Sequence, residues 1–342
     1  MDILFGTVVR GAPIKKGGEL VKLDWDNKFI KKKITIYPKN PEIIKDPNPR
    51  GNTRGCKGID IYDNNVIVAT YHSLEIYDKD LNYINRLSDN LMVCLHEIYC
   101  NQEGKVWVAS TAIDAAIKYN LKTGKLEKAY WPREMENIQK ELNISRLEID
   151  KKLDNRFLFL DTEKYRHNPS HTHLNAVNEL NGEMYCLLHR FGAIVNLDKQ
   201  EIIIKDKRLD HSHNLKFIEN NIAIVNNSYN NSINFYDLYS RKLIKSIDLL
   251  KHKLIKKIQT DTINDNRLKI SIKKYLSRFG VNINVKSKSI FVRGLDIDKD
   301  YIYVGISPAS IICINWKTND LVDYFQYSND SSIAIHGLKI LY

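Results

Sequence analysis

Two segments of the sequence repeat one pattern, and this pattern decides the fold. Residues 171–188 read HTHLNAVNELNGEMYCLL, and residues 211–227 read HSHNLKFIENNIAIVNN. Each segment opens with His-x-His, continues through an apolar stretch, turns on Asn-Gly or an Asn pair, and enters a second apolar stretch. Short apolar runs joined by Asn or Gly turns are typical of β-hairpins. The repeat therefore predicts β-sheet, and each copy brings two closely spaced histidines to the same point.

The same pattern recurs about every forty residues along the chain. It begins again near Cys56, Met92 and Phe291, with an apolar strand, a polar turn such as Glu103-Gly104, and a second strand rich in Val, Ile, Tyr or Trp. A third strand ends in YD, LD or IN, and a fourth follows a polar turn. Four short strands in each repeat are the sequence form of a propeller blade.

The two ends of the chain together complete one further blade. Residues 335–342, IHGLKILY, resemble a single innermost strand, and residues 2–37 supply three strands without a first one. A blade shared by both ends closes the ring and hides its sheet edges, which removes an aggregation hazard. We therefore predict an all-β, six-bladed β-propeller that forms a single domain with two inter-blade insertions. The predicted ranges are 2–37 plus 335–342 for blade 1, 56–90 for blade 2, 92–131 for blade 3, 170–206 for blade 4, 209–250 for blade 5 and 291–328 for blade 6, with insertions at 132–169 and 251–288.

The composition is that of a globular protein, with 43% hydrophobic and 27% charged residues in 342 positions. No run approaches the roughly 18 to 20 apolar residues of a membrane span, and the first residues lack the apolar segment of a secretory signal. Five cysteines, odd in number and without a CxxC motif, indicate reduced thiols. These features predict a cytoplasmic protein. GxGxxG, Walker A, GxSxG and HExxH motifs do not occur in the sequence.

The net charge of +11 is concentrated in one insertion. Residues 251–288 contain eleven Lys or Arg against Asp261 and Asp265. Two interpretations remain open: a solvated Lys-rich segment, or a patch that docks phosphates, anionic glycans or an acidic partner. The chain carries no nucleic-acid-binding motif, so nucleic acid is not a predicted partner.

The histidines collect at one predicted address. In a propeller the first strand of each blade lines the central axis, so residues at the starts of these strands approach one another at one mouth. Strand alternation would place His171 and His173 on one face, and likewise His211 and His213 if their strand is regular. By contrast, His72, His189 and His252 are interpreted as structural hydrogen-bonding residues. The predicted axial zone holds Cys56, Gly58, Cys94, His96, Glu97, His171, His173, Asn175, His211, His213, Asn214, Arg293, Gly294, His336 and Gly337.

Three interpretations of this zone remain open. A divalent metal such as Mn, Fe, Zn or Ni would suit imidazole and carboxylate ligands, and the predicted ligands are His96, Glu97, His173 and His211. A metal-free polar site would use His173 and His211 for proton transfer and Arg293 to hold a carboxylate, sulfate or phosphate. Asn175 and His213 complete the predicted substrate-binding set with Arg293. The third interpretation is a purely structural polar plug of the channel.

Four of the segments together resemble an uncharacterised family of six-bladed β-propellers, some of whose members are joined to tetratricopeptide repeats. The resemblance covers about residues 92–310 and implies the fold and a polar axial site, but no established activity. Two Lys-rich insertions and the second histidine of the pair, His213, depart from the family pattern. The matching positions are His96-Glu97 with Trp107, His173 with Asn175, His211-Ser212 with Asn226, and Arg293-Gly294-Leu295.

Two functional hypotheses follow. The first is a metal-assisted enzyme of lyase or hydrolase type that acts on a small or sugar-like anionic substrate at the axial site. The second is a binding or scaffolding propeller whose basic insertion, 251–288, docks an acidic partner.

Overall fold

A computed structural model describes residues 1–42, 44, 53–156, 168–277 and 290–341. Within these ranges, 24 strands form six sheets, and every sheet is an antiparallel arrangement of four strands. The predicted six-bladed β-propeller is therefore confirmed. Neither of the two helices in the described ranges combines the length and the apolar character that a membrane crossing requires.

The strands follow one another from the axis outwards in each blade. Blade 1 contains β24 (Ile333–Leu341), β1 (Asp2–Val9), β2 (Glu19–Asp24) and β3 (Phe29–Thr35). Blade 2 contains β4 (Ile59–Tyr62), β5 (Asn65–Ala69), β6 (Leu74–Tyr77) and β7 (Tyr83–Leu87). Blade 3 contains β8 (Leu95–Cys100), β9 (Lys105–Ser110), β10 (Ala115–Asn120) and β11 (Leu126–Tyr130).

The other three blades are built in the same way. Blade 4 contains β12 (Leu174–Leu180), β13 (Glu183–Leu188), β14 (Ala193–Asn196) and β15 (Glu201–Lys205). Blade 5 contains β16 (Ser212–Ile218), β17 (Ile222–Asn227), β18 (Ser232–Asp237) and β19 (Lys242–Asp248). Blade 6 contains β20 (Phe291–Asp298), β21 (Tyr301–Ser307), β22 (Ser310–Asn315) and β23 (Asp320–Gln326).

The chain ends close the ring. The last strand, β24, pairs antiparallel with β1 along its whole length, from Asp2 opposite Leu341 to Val9 opposite Ile333. This pairing confirms the predicted blade built from both termini. Since β24 also contacts β20 on one side and β4 on the other, it takes its place in the inner circle of strands.

The core lies between neighbouring blades. The inner strands are buried on both faces, whereas outermost strands such as β3 and β23 alternate between exposed and half-buried side chains. Apolar side chains from adjacent sheets pack together, as Phe235 of blade 5 does in one cluster with Leu295 and Ile302 of blade 6. Burial of this apolar surface is the main favourable term in folding.

Glycine is required where the innermost strands approach one another most closely. A Cβ atom at Gly58 would lie 2.5 Å from the carbonyl oxygen of His96, and one at Gly337 would lie 2.7 Å from that of Lys57. These distances are too short for any side chain. The glycines therefore let the backbones of blades 1, 2 and 3 meet at the axis.

Each insertion contributes a helix that packs on the propeller. Helix α1 (Glu136–Leu142) buries Ile138 and Leu142 against the cluster between blades 3 and 4. Helix α2 (Lys253–Ser277) buries Ile255 in the cluster between blades 5 and 6. Residues 157–167 of the first insertion and 278–288 of the second lie outside the described residues.

We predict that closure of the ring depends on apolar packing of β24. Ile335 is fully buried and packs with Phe5 and Ile311. Its replacement by Ala should lower the free energy of unfolding by about 2 to 5 kcal/mol, because the truncation leaves a cavity. Urea unfolding would measure this loss. The matched control is Val322→Ala on the half-exposed outer strand, and equal losses in both variants would contradict the expectation.

Candidate functional site

The axial residues owe their position to β-bulges at the same level of five innermost strands. In each of these strands the pairing register shifts, so that one or two residues have no partner on the neighbouring strand. A bulge bends the strand and re-aims its side chains. Side chains from five blades are therefore presented at one mouth of the channel. The residues within the bulges are His96-Glu97, Asn175, Asn214-Leu215, Arg293-Gly294 and His336.

Simple strand alternation does not describe this region. His171 and His173 precede β12, which begins at Leu174, and His211 precedes β16. His173 and His211 both have positive φ angles, of 54° and 62°. Local turns rather than strand alternation therefore set the direction of these side chains, and the rings of His171 and His173 still lie 5.5 Å apart.

Seven imidazole rings form a continuous group, with His171 5.5 Å from His173 and His211 5.1 Å from His189 at its edges. We call the other five the axial cluster: His96, His173, His189, His213 and His336. The ring centroid of His96 lies 5.4 Å from that of His173, 6.2 Å from that of His213 and 5.3 Å from that of His336. The centroid of His189 lies 4.7 Å from that of His173 and 4.9 Å from that of His213. The sequence prediction of histidines gathered from several blades thus corresponds to a physical group.

Burial keeps the axial cluster uncharged. Desolvation lowers the pKa of His96, His173, His213 and His336 well below 6.5, and neighbouring cationic and imidazole groups lower it further. Desolvation also lowers the pKa of His189 to about 3. At neutral pH each ring therefore offers one donor and one acceptor nitrogen.

The guanidinium of Arg293 lies beside the axial cluster. Its Nη1 donates to His336 Nε2 at 2.8 Å, which leaves the ring proton of neutral His336 on Nδ1. Burial lowers the pKa of Arg293 to about 9, so the group stays protonated at neutral pH. Within the described ranges no carboxylate lies at ion-pair distance from it. Lys57 is buried nearby, with its Nζ 3.6 Å from Cys94 Sγ.

Unsatisfied polar atoms are concentrated around the same group. Buried polar atoms almost always form hydrogen bonds, and an unsatisfied one costs about 1 to 3 kcal/mol. The concentration indicates that water or a ligand completes this region. The buried atoms without a hydrogen-bond partner among the described residues include His96 Nδ1, Glu97 Oε1, Asn175 Oδ1, Asn226 Oδ1, Arg293 Nε and His336 Nδ1.

A second layer of the channel is balanced in charge. Lys339 Nζ lies 2.8 Å from Asp60 Oδ1, and Lys216 Nζ lies 3.6 Å from Asp296 Oδ1. Glu97 borders this layer, where burial raises its pKa to about 8 although Lys216 acts in the opposite direction. Glu97 is therefore a neutral carboxylic acid at pH 7. Arg293, whose positive charge has no paired carboxylate among the described residues, lies outside this layer.

The four predicted metal ligands are not brought together as a set. His96 and His173 are neighbours, but His211 lies at the exposed rim against His189, and Glu97 is protonated. Over the ranges that the structure describes, no group of three His, Cys, Asp or Glu side chains is arranged to hold a metal ion. The metal set remains a prediction without support from side-chain geometry.

Two other predicted site residues, Asn175 and His171, form hydrogen bonds between neighbouring blades. Asn175 donates from Nδ2 to the carbonyl oxygen of Ser212 at 3.1 Å and joins blades 4 and 5. His171 instead contacts blade 3, with its Nε2 2.9 Å from the carbonyl oxygen of Thr111 and 3.5 Å from Asp114 Oδ1. It is therefore a link between blades 3 and 4 beside the axial cluster.

Sequence reasoning missed His189 and Lys57. His189 was interpreted as structural, but it follows the end of β13, and in a hairpin the second strand ends beside the start of the first. That rule could have placed it in the cluster. Lys57 immediately precedes Gly58, which was included in the axial zone, and its charge was overlooked.

Comparison with known proteins supports the fold only. No protein-family model and no curated protein sequence matches the chain. A protein of unknown function from Bacteroides caccae superposes with a TM-score of 0.57 at 9% identity, over 98% of this chain and 97% of that chain. The Cps50 (Swd1) β-propeller domain of Myceliophteria thermophila gives a TM-score of 0.49 at 8% identity, over 96% and 88% of the two chains.

We predict a steep loss of stability in acid that originates in the axial cluster. Its pKa values are lowered on folding, so the unfolded chain binds more protons below pH 6.5 and stability falls as the pH falls. Each buried imidazole contributes up to about 1.4 kcal/mol per pH unit. The variant His213→Gln should therefore reduce the slope of the unfolding free energy between pH 6 and 4.5 by about that amount. Urea unfolding at a series of pH values measures it.

The control for this experiment is His252→Gln, a histidine outside the axial cluster. In this variant the slope of the unfolding free energy between pH 6 and 4.5 should equal that of the unmodified protein. If His213→Gln also leaves the slope unchanged, the cluster is not held in the neutral form.

Proposed function

We propose that the axial site binds a small anion and acts on it by proton transfer, as an enzyme of lyase or hydrolase type. The observation that carries this proposal is Arg293, a guanidinium that lies among neutral imidazoles and has no carboxylate at ion-pair distance in the described part of the chain. A cation removed from water and left unpaired is costly, and an anionic ligand compensates that cost.

Further charges favour an anion at this level. Arg10 lies with its guanidinium carbon 3.6 Å from the ring centroid of Phe291, and the guanidinium carbon of Arg293 lies 5.5 Å from the same centroid. Arg10 also lowers the pKa of Arg293, after the larger effect of burial. Together with Lys57, these groups give the mouth a positive potential that attracts carboxylate, sulfate or phosphate.

A neutral base and a neutral acid occupy consecutive positions of one bulge, His96 in the axial cluster and Glu97 at the border of the ion-pair layer. The imidazoles are unprotonated at neutral pH, and an anion bound among them raises their lowered pKa values because it stabilises the protonated form, whereas Glu97, with a pKa of about 8, carries a proton. Environments that push the pKa values of titratable groups apart are typical of acid–base catalysis. His96 Nδ1 and Glu97 Oε1 have no protein partner among the described residues, which leaves both atoms for a ligand.

Metal assistance, the finer form of the sequence hypothesis, is not needed for this proposal. Its donors His96, Glu97, His173 and His211 do not converge, as described above. The proposal therefore assigns binding to Arg293 and proton transfer to imidazole, without a metal step.

We predict that Arg293→Met abolishes anion binding without loss of fold. Sulfate and citrate should raise the Tm of the unmodified protein more than isotonic chloride does, because they bind the folded state. The variant should keep only the general stabilisation that excluded salts such as sulfate give any folded protein, and so show a smaller rise in Tm, since its side chain has similar length and no charge. Differential scanning calorimetry measures the shifts. The matched control is Arg241→Met, a surface arginine of blade 5 paired with Glu201.

Two results, one from this calorimetry and one from elemental analysis, would overturn the proposal. Equal stabilisation of Arg293→Met and the unmodified protein places the anion elsewhere. Stoichiometric Mn, Fe, Ni or Zn by elemental analysis, lost in the variant His173→Ala/His211→Ala, instead supports the metal-assisted enzyme.

A second candidate function concerns the basic insertion. Helix α2 carries seven Lys or Arg and two Asp, and its exposed side chains include Ile263, Ile272 and Tyr275. A cationic helix with exposed apolar residues suits the acidic partner predicted for 251–288. Because Ile255 is buried in the core, removal of the helix would also disturb the fold.

Charge reversal is therefore the better test of this second function. The exposed pair Lys256 and Lys257, replaced by Glu, should abolish salt-sensitive binding of poly-glutamate and leave the Tm unchanged. Isothermal titration calorimetry measures the binding. If the unmodified protein does not bind poly-glutamate at low salt, the insertion is a solvated segment.

A further inference from the structure

A pocket of about 490 Å³ opens at the rim of the channel beside the axial cluster. It lies next to the cluster because His189 belongs to both. Its volume is in the range of small-molecule sites. The residues that line the pocket include Asn168, His189, Arg190, Phe191, Asp210 and His211.

Hydrogen bonds fix the ring protons of His189 and His211. His189 Nδ1 lies 3.0 Å from the carbonyl oxygen of Ser212, and because a carbonyl only accepts, this nitrogen carries the proton. Asn175 Nδ2, 3.2 Å from the same nitrogen, donates to that carbonyl as well. The lone pair of His189 is therefore on Nε2, which lies 3.3 Å from His211 Nδ1.

The tautomer of His189 determines the tautomer of His211. Its Nδ1–H donates to His189 Nε2, so its own lone pair is on Nε2. In the described part of the chain His211 Nε2 has no partner, and the ring is exposed in the pocket. A base whose second nitrogen is held by a neutral acceptor is oriented for proton transfer.

The other lining groups define the ligand. Arg190 is held in place by the carbonyl oxygens of Asn168 and His171, at 3.1 and 3.4 Å from its Nη1, and its guanidinium suits a carboxylate. The Asp210 carboxylate supplies oxygen atoms suited to accept hydroxyl protons, whereas Asn168 Oδ1 already accepts the backbone N–H of Ser170 at 2.9 Å. Phe191 supplies an apolar face. Charge, hydroxyl acceptors and an aromatic ring together suit a hydroxylated carboxylate.

We propose that this pocket seats a hydroxylated carboxylate of sugar size and that His211, positioned by His189, is the base that accepts its proton. The inference rests on the proposed function, and it adds a carboxylate position at Arg190 to the anion position at Arg293. The transferred proton leaves an O–H or C–H bond of the ligand, whose electron pair remains on the ligand, and binds His211 Nε2. The imidazolium keeps its Nδ1–H bond to His189, which stays neutral.

The first part of the test observes the ring protons directly. Long-range ¹⁵N–¹H spectra of the full chain at pH 8 should show the Nδ1–H tautomer for both His189 and His211. Free imidazole prefers Nε2–H, so the expected spectrum is not the default. In His189→Phe, which keeps a planar ring but offers no acceptor, His211 should revert mainly to Nε2–H. An Nε2–H tautomer of His211 in the unmodified protein would overturn the pairing.

The second part titrates ligands against the same spectra. D-galacturonate should perturb the His211 signals, whereas D-galactose at equal concentration should not. Arg190→Met should weaken galacturonate binding at least about tenfold, as expected for loss of a charged hydrogen bond. Arg241→Met, on the opposite side of blade 5, is the matched control and should bind normally.

The outcomes separate this inference from the function on which it rests. If sulfate perturbs the axial cluster through Arg293 while galacturonate leaves His211 unchanged, the substrate class is wrong and the anion site stands. If neither anion perturbs any ring, both proposals fail. Galacturonate binding that is unaffected by Arg190→Met would overturn the assigned position of the carboxylate.

Discussion

The antiparallel pairing of β24 with β1 is the interaction on which the rest of the structure depends. It joins residues from the two ends of the chain and completes the sixth blade. With the ring closed, every sheet face has a neighbour and the six innermost strands are held around one axis. Their approach is close enough that Gly58 and Gly337 are needed between backbones. The arrangement of histidines from blades 1, 3, 4 and 5 is a product of this closure.

Closure leaves a channel whose two layers differ electrostatically. In one layer Asp60, Asp296, Lys216 and Lys339 neutralise one another in ion pairs. In the other, Arg293 is accompanied by uncharged imidazoles. The same burial that neutralises the histidines leaves Arg293 without a paired carboxylate among the residues that the structure describes. The charges of the ion-pair layer cancel within the protein. The charge of the Arg293 layer is cancelled only when an anion is bound.

The sequence was sufficient to predict the architecture because the blade pattern is local. Alternating apolar strands and Asn or Gly turns mark each hairpin, and the incomplete repeats at the two ends indicate closure. The approach of several histidines to the axis could be predicted from the same repeats, since innermost strands begin there, but the bulges that aim the side chains could not. His189 was missed because it lies at the end of a second strand. The direction of His173 and His211 could not be predicted, because it depends on positive φ angles and bulges that leave no mark on an apolar pattern. The metal ligand set stays a prediction, since no group of three ligand side chains among the described residues is arranged to hold a metal ion.

The β-bulges have a consequence for how such a protein can change. Among the bulged residues, Leu215 packs in the cluster between blades 4 and 5 and Asn175 joins the same blades by a hydrogen bond, whereas His96, Arg293 and His336 lie around the axis. Substitution at these three positions alters the chemistry of the mouth while the apolar faces that hold the blades together stay the same. One ring can accept different ligands by exchange of a few residues, one blade at a time.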